Sequence, residues 1–178
     1  RVHPEGLAEF RAKLGETGRP VVVVGNHLSF LDTILVVPLT PLSKVMYTKM
    51  FVSGHLLRMP VLRTIINAMN HIVVPFRAGT DNASFELDKD LMAQRQQELE
   101  THIKGGGIAA WFPEGRMNPG EDVLEVGQFR AGGFGLAVRN DVEVWCAAFV
   151  GNTDCWPRKA LLGGRPSHID IRLFRLCE

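Results

Sequence analysis

The sequence predicts an α/β sandwich, in which short buried strands alternate with longer helical segments. Its 178 residues are enough for one domain with a substantial core, so a single domain over residues 1–178 is expected. Hydrophobic residues make up 46% of the chain and charged residues 22%, a balance that excludes a largely disordered protein. Short apolar runs alternate along the chain with longer amphipathic segments, and this alternation carries the prediction.

The first strand and helix lie near the amino terminus. Residues 21–24 are four consecutive valines that end at a glycine, which predicts a buried strand. Ser29 is placed to cap a helix over residues 31–37, and Pro38 and Pro41 are expected to end it.

The middle of the chain has a less regular pattern of apolar residues. Residues 44–70 are apolar and basic with Pro60 inside, which predicts a broken or kinked helix. Residues 72–76 predict a second strand, and Pro75 makes an interior position unfavourable for it. Residues 83–104 share one apolar face over much of their length, which predicts the longest helix, ended by a glycine.

The last third returns to strands. Residues 108–112 and 142–150 are apolar runs that predict two further strands. A short helix is expected between them over residues 131–140, weakened by three glycines. Residues 169–173 alternate between apolar and polar side chains, as a half-exposed strand does.

The charges are distributed unevenly. The net charge of +1 gives no argument for nucleic acid as a partner. No Asp or Glu lies between Asp32 and Asp81, an interval that holds five bases: Lys44, Lys49, Arg58, Arg63 and Arg77. Apolar residues accompany these bases, so residues 33–80 are predicted to face an anionic bilayer. The alternative is the solvated face of an ordinary core segment.

Cysteine content and hydropathy bear on location. The three cysteines form no C-x-x-C pair, and their odd number argues against a complete disulfide set, so a reducing compartment is expected. No run reaches the ~20 apolar residues of a membrane-spanning helix, and no signal peptide is visible. We therefore expect a membrane-associated protein whose active site faces a reducing compartment.

The first candidate site is the segment Asn-His-Leu-Ser-Phe-Leu-Asp at residues 26–32. Five steps of ~100° would place His27 and Asp32 well apart on one regular helix. With His27 in the loop after a strand and Asp32 in the first helical turn, the carboxylate can bind one imidazole nitrogen and leave the other basic. The alternative for Asp32 is a capping-box role, because Ser29 precedes it by three residues.

A second candidate follows the strand at residues 108–112. Glu114 comes directly after Pro113, Gly115 allows a ligand to approach the backbone closely, and Arg116 can bind a phosphate in a bidentate manner. The alternative is an ordinary turn with an Arg116–Glu114 ion pair at the surface. Arg77, after the strand at residues 72–76, is either a ligand contact or a surface charge. The remaining histidines show no metal-ligand spacing, so no metal site is predicted.

In this order, the motifs resemble the PlsC-like glycerolipid acyltransferases, a family that includes the 1-acylglycerol-3-phosphate acyltransferases. The resemblance covers roughly residues 20–165. The matching segments are residues 26–32 (N-H-x-x-x-x-D), Arg77 at a strand end, residues 112–115 (F-P-E-G), residues 127–132 (G-x-F-[KR]-x-G) and residues 144–153 (an apolar strand and a small-residue turn).

The resemblance implies a glycerol-3-phosphate acyltransferase-like fold, with a mixed, largely parallel central sheet flanked by helices. It also implies an acyl-CoA or acyl-carrier-protein co-substrate, no cofactor, and a lysophospholipid acceptor, 1-acylglycerol-3-phosphate in the first instance. His27 would be the general base and Asp32 its orienting partner, while Arg77, Glu114 and Gly115 would hold the acceptor's phosphate headgroup. Arg116 is added to that headgroup site from its chemistry.

Two departures concern the acceptor side. His71 stands where the family's second motif opens with Gly, and Arg116-Met117-Asn118 replaces the usual Thr-Arg-Ser. The latter is closer to the E-G-[KR]-x-N form of tafazzin-like transacylases. Two alternatives therefore stay open: a CoA-independent phospholipid transacylase and a catalytically silent lipid-binding module. The presence of His27, Asp32 and Glu114 argues against the silent module.

Overall fold

A computed structural model describes residues 1–16, 19–76, 87–160 and 163–177. Within them lie the strands β1 (Val21–Gly25), β2 (Thr48–Ser53), β3 (Ile72–Val74), β4 (Ile108–Trp111), β5 (Glu143–Val150) and β6 (Asp170–Cys177). The helices are α1 (Pro4–Gly15), α2 (Leu31–Leu39), α3 (Leu42–Val45), α4 (Pro60–Ala68), α5 (Lys89–Lys104), α6 (Ala131–Arg139) and α7 (Asn152–Cys155), with a 3₁₀ turn at Gly54–Arg58.

The strands form one sheet in the order β3-β2-β4-β1-β5-β6. All neighbouring pairs are parallel except β5 and β6, which are antiparallel. The mixed α/β fold with a largely parallel sheet flanked by helices is therefore confirmed.

The valines of β1 explain why this strand is central. Val21 and Val23 pack into the core formed with α1, α2 and α4, whereas Val22 and Val24 pack against α5 and α6. All four are at most 5% exposed, so both faces of β1 are covered. Each buried valine contributes roughly 1.5–3 kcal/mol, which is why a continuous apolar run suits a central parallel strand.

The chain reverses its direction across the sheet next to β1. From β1 it passes through α2 and α3 to β2 and then through α4 to β3, on one side. From β3 it returns through α5 to β4 and crosses through α6 to β5. The connections that leave β1 and β4 therefore run in opposite directions over opposite faces of the sheet, and both start at its carboxyl edge, where α/β folds bind ligands.

Most of the predicted elements are present. The strands expected within residues 21–24, 72–76, 108–112, 142–150 and around Ile171 are β1, β3, β4, β5 and β6. β3 is an edge strand, as Pro75 at its end requires. The helix predicted at residues 131–140 is α6. It forms despite its three glycines because its own side chains Leu136 and Ala137 are buried in the core.

The prediction for residues 44–70 is wrong in part. β2 lies within this segment, with Thr48, Met50 and Val52 buried on one face. That alternation is the two-residue period of a strand, hidden by the half-buried Lys49 and Phe51 on the other face. Pro60 breaks no helix, since it begins α4, where its missing N–H costs nothing.

Two other helix boundaries differ from expectation. α2 continues through Pro38 to Leu39 and ends before Pro41. Arg11 of α1, a helix that the sequence patterns did not predict, donates from Nη2 to the Pro38 carbonyl at 2.8 Å and from Nε to Leu39 at 3.2 Å. α5 begins at Lys89 rather than 83, because Asp88 caps it by accepting from the Leu91 N–H at 3.0 Å.

The acid-free interval at residues 33–80 was expected to form one exposed face, but its described part, residues 33–76, does not. β2 is an interior strand of the sheet, and Lys49 within it pairs with Glu98 of α5 at 3.3 Å. Apart from Phe76, which forms an isolated β-bridge, the exposed apolar residues among the described part of this interval belong to its helices, turns and bends. In the described part of the chain, no helix has the length and apolarity needed to cross a membrane.

Candidate active site

His27 and Asp32 come together at the carboxyl edge of β1. His27 follows the strand by two residues, and Asp32 lies in the first turn of α2. Their Nδ1 and Oδ2 atoms are 3.1 Å apart. Asp32 is fully buried, whereas the His27 side chain is 17% exposed, so only the imidazole can meet a substrate.

The Asp32 carboxylate accepts hydrogen bonds from four N–H groups. Oδ2 accepts from the backbone N–H groups of Leu28 at 2.7 Å and Ser29 at 2.8 Å, in addition to His27. Oδ1 accepts from the side-chain amide of Asn152, the first residue of α7. The bond from the Ser29 N–H is the one that the acid of a capping box accepts, so the capping and orienting roles of Asp32 are compatible. The N-cap residue of α2 is Phe30, however, and not Ser29 as expected.

The imidazole of His27 is fixed in plane by Phe112. The two rings stack with centroids 4.1 Å apart and an interplanar angle of 11°. Because Nδ1 faces a carboxylate, it carries the proton in the neutral ring, and Nε2 is left with a basic lone pair. Nε2 makes no hydrogen bond to any residue that the structure describes. This arrangement is suited to removing a proton from a hydroxyl group.

Glu114 binds two backbone groups on either side of the site. It is 4% exposed, and its Oε1 accepts from the His27 N–H at 2.8 Å while Oε2 accepts from the Gly127 N–H at 2.8 Å. The carboxylate thus ties the loop after β1 to the segment before α6. The role of Glu114 in holding a phosphate stays a prediction, and its negative charge would work against direct contact with that group.

Gly115 and Arg116 lie at the solvent side of Glu114. Gly115 has φ of +69°, and a Cβ there would lie 2.5 Å from Nε of Arg130, so only glycine fits without rearrangement. Arg116 is exposed. The Arg116–Glu114 ion pair considered as an alternative is not formed, because Glu114 is buried and bonded to amides. Arg77 lies outside the described residues.

Several residues that complete this site were missed by sequence reasoning. The Asn118 N–H donates to the His27 carbonyl at 2.7 Å, and Arg158 donates to the Asn118 carbonyl at 2.8 Å. Asn26 bridges β1 and β5 by bonding both backbone groups of Phe149, at 2.9 and 2.8 Å. These contacts join positions more than 35 residues apart, which no local spacing reveals, although Asn118 and Asn26 stand inside recognised motifs.

No group of three or more His, Cys, Asp or Glu side chains in the described ranges is arranged to hold a metal ion. The functional side chains gather instead around the carboxyl ends of the neighbouring strands β1, β4 and β5. The site can therefore supply a base and the carboxylate that orients it, and Gly115 lets a ligand come close to the backbone beside them.

Comparisons with known proteins identify the family of this chain and a similar fold. The family model described as Acyltransferase matches residues 2–150. The solved structure of the 1-acyl-sn-glycerophosphate (LPA) acyltransferase PlsC from Thermotoga maritima is similar in fold, with a TM-score of 0.65 and 19% sequence identity. The match covers 89% of this chain and 56% of that one, so this chain spans little more than half of its length. A search of curated proteins found no match.

Proposed function

The chain belongs to the acyltransferase family, and we propose that it transfers a fatty acyl group from a thioester to the free hydroxyl of a lysophospholipid. The acceptor we propose is 1-acylglycerol-3-phosphate, and the donor is acyl-CoA or acyl carrier protein, with no further cofactor. The observation that carries this proposal is the His27 imidazole, bound through Nδ1 to buried Asp32 and open at Nε2.

The proposed reaction needs one proton carrier. Nε2 of His27 takes the proton of the acceptor hydroxyl, and the resulting oxygen attacks the thioester carbonyl carbon. When the tetrahedral intermediate collapses, the new C–O ester bond remains and the C–S bond breaks. The thiolate leaves with the proton that His27 had taken, which gives an ester and a free thiol. Asp32 stabilises the positive charge of the imidazolium between these two transfers.

We propose that the acceptor's phosphate binds near Gly115, with Arg116 as a cationic contact. Arg77, which lies outside the described residues, is the further contact that the sequence predicts. Arg116 is exposed and has no ion-pair partner in the described part of the chain, so its guanidinium is available for an anion. Arg130 adds a further cation, since its Nε lies 3.4 Å from the Glu114 carbonyl oxygen. This placement is supported by charge and proximity, and the kinetics of Arg116 variants test it.

We further propose that the face of the sheet covered by α2 and α4 lies on the membrane surface. The exposed apolar side chains there are Ile34, Val37, Met59, Val61 and Ile65. Arg58 and Arg63 lie among them, and the segment holds no acid to repel an anionic headgroup. Arg58 and Val61 belong to the connection that leaves β2 at the carboxyl edge, the same edge as His27. A bilayer on this side would bring a lipid acceptor close to the base.

The two cysteines whose state the structure describes, Cys146 and Cys155, are free thiols. Free thiols support the proposal that the active site faces a reducing compartment.

A transacylase that transfers between phospholipids without CoA is the second candidate. The feature that favours it is the Arg116-Met117-Asn118 sequence, in which Asn118 holds the His27 carbonyl.

One assay separates these functions. The chain is mixed with palmitoyl-CoA and lysophosphatidate, and released CoA is trapped with a thiol reagent. An acyl-CoA acyltransferase releases CoA only when the lysophospholipid is present. A transacylase releases none but forms phosphatidate when a diacyl phospholipid replaces the thioester. A silent lipid-binding module gives neither product, and that result would overturn the proposal.

A further inference from the structure

We infer that Asn152 is a positioning residue for acyl transfer, which fixes the Asp32 carboxylate and, through it, the His27 imidazole. The inference rests on the proposed function, where His27 is the general base. Asn152 does not contact the reacting atoms. Its effect on them would pass through a single hydrogen bond to Asp32.

The two carboxylate oxygens of Asp32 serve different partners. Oδ2 accepts from the imidazole of His27 and from the N–H groups of Leu28 and Ser29. Oδ1 accepts from Asn152 Nδ2. Asn152 and Asp32 are both 0% exposed, so water cannot replace the amide.

The amide is needed because the carboxylate would otherwise be free to turn. The terminal torsion of an aspartate is broad, and a buried oxygen without a donor is costly. A donor on Oδ1 removes that cost and keeps Oδ2 towards His27. Because the amide is neutral, it leaves the negative charge of Asp32 available to the imidazolium. A lysine or arginine at position 152 would instead compensate that negative charge.

The surrounding backbone is built to bring Asn152 to this point. Gly151 has φ of +84°, and a Cβ there would lie 2.1 Å from the His168 carbonyl oxygen, so glycine is required before Asn152. The Asn152 carbonyl accepts from the Trp156 N–H at 2.9 Å, and the Trp156 carbonyl accepts from Ser29 Oγ at 2.7 Å. α7 is thereby tied, through Ser29, to the loop that precedes Asp32.

A cost accompanies this arrangement. Asn152 Oδ1 is buried and has no hydrogen-bond partner among the described residues. An unsatisfied buried amide oxygen lowers stability, and an apolar residue of similar size would avoid that. A polar group kept at such a position is better explained by its contact with Asp32 than by packing.

The first test is Asn152→Ala with acyl-CoA and lysophosphatidate as substrates. We expect kcat to fall about tenfold to a hundredfold, less than the ~10²–10⁴ of a positioned base, with both KM values within about twofold. Asn140→Ala is the matched control. Asn140 also donates from Nδ2 to an oxygen, the Leu136 carbonyl at 2.8 Å, and its Oδ1 is also unsatisfied, but it ends α6 away from the site. Its kcat should be unchanged.

A double-mutant cycle separates positioning from a merely structural role. If Asn152 acts through the carboxylate of Asp32, then Asn152→Ala should cost less than about twofold in an Asp32→Asn background. An equal loss in both backgrounds would show that the change disturbs the fold and would overturn the inference.

The last readout does not depend on turnover. The Nδ1–H proton of His27, hydrogen-bonded to a carboxylate, should give a downfield NMR resonance that shifts or broadens in folded Asn152→Ala and stays unchanged in Asn140→Ala. An inactive wild type would overturn the proposed function, while this resonance would still test the placement of the pair. A resonance that is identical in wild type and Asn152→Ala would exclude the positioning role.

Discussion

At the carboxyl edge of the sheet, the buried carboxylates of Asp32 and Glu114 accept hydrogen bonds from backbone amides, a side-chain amide and an imidazole. At the amino edge, buried Glu143 accepts instead from the ammonium of Lys13 at 3.1 Å and the indole of Trp145 at 2.8 Å. Both edges bury acids, but they provide them with different partners.

The two kinds of partner distinguish a structural carboxylate from one that can take part in catalysis. A carboxylate beside a permanent cation has its charge compensated at every pH near neutrality. Asp32 has only neutral donors around it, so its charge remains available when His27 gains a proton. We therefore expect changes at the carboxyl edge to alter catalysis and changes at the amino edge to alter stability alone.

His27→Ala should have the largest effect. Removal of the base should lower kcat by about 10²–10⁴ while the melting temperature stays close to that of the wild type. Asp32→Asn should cost less, because it disturbs orientation and leaves the base in place. Steady-state kinetics with circular dichroism melts check both variants. A folded His27→Ala protein with near-normal kcat would disprove the mechanism.

Arg116→Met should raise KM for the lysophospholipid by roughly tenfold to a hundredfold, the value of one lost charge-assisted hydrogen bond of about 1.5–3 kcal/mol. KM for the acyl thioester should hardly change. Lysine at 116 should restore part of the loss, because an ammonium supplies charge without the planar fork. If both substrates are affected alike, the phosphate contact does not exist.

Glu143→Leu tests the other edge. It removes the acceptor of the buried Trp145 N–H, which should cost about 1–3 kcal/mol. At ~2–4 °C of melting temperature per kcal/mol, the loss is several degrees. The kcat measured well below the transition should stay within about twofold of the wild type. A large catalytic defect would remove the distinction between the two edges.

The proposed membrane face predicts a smaller effect at the carboxyl edge. Arg58→Glu should weaken sedimentation with anionic vesicles by at least roughly fivefold, because each basic residue near the surface contributes ~1 kcal/mol. Binding to neutral vesicles should change little, and added salt should reduce the difference. Lys89→Glu, an exposed reversal on α5 against the opposite face, is the matched control. Equal losses from the two reversals would count against a specific membrane face.

The two edges also differ in how far the sequence predicts them. β1 is recognisable from its valines alone, since a four-residue β-branched run bounded by proline and glycine is typical of a buried strand. His27 and Asp32 are recognisable because both partners lie within five residues. Asn152, in contrast, meets Asp32 across 120 positions, and only the pairing of β1 with β5 brings them together. β2 was missed for a related reason: Lys49 interrupts its apolar pattern, and Glu98, which pairs with it, lies on α5.

His71 gives the most modest prediction, again at the amino edge. Its Nδ1 accepts from the Met50 N–H at 3.2 Å, which requires the neutral ring. Burial, and next the nearby Lys49 charge, lower the pKa of His71 from 6.5 to about 4. Between these values the unfolded chain binds a proton that the folded chain does not. The stabilising contribution is therefore fully present above pH 6.5 and is lost as the pH falls towards 4.

Urea unfolding at several pH values from 7 to 5 measures this contribution. His71→Asn keeps an acceptor at a similar distance from the main chain but cannot titrate, so its free energy of unfolding should fall less steeply with decreasing pH than that of the wild type. His168→Gln is the control, because the His168 side chain is 73% exposed and its loss should leave the slope almost unchanged. If the wild type and His71→Asn have the same slope, His71 is not held neutral by the fold. The amino edge would then make no pH-dependent contribution to the free energy of unfolding through His71.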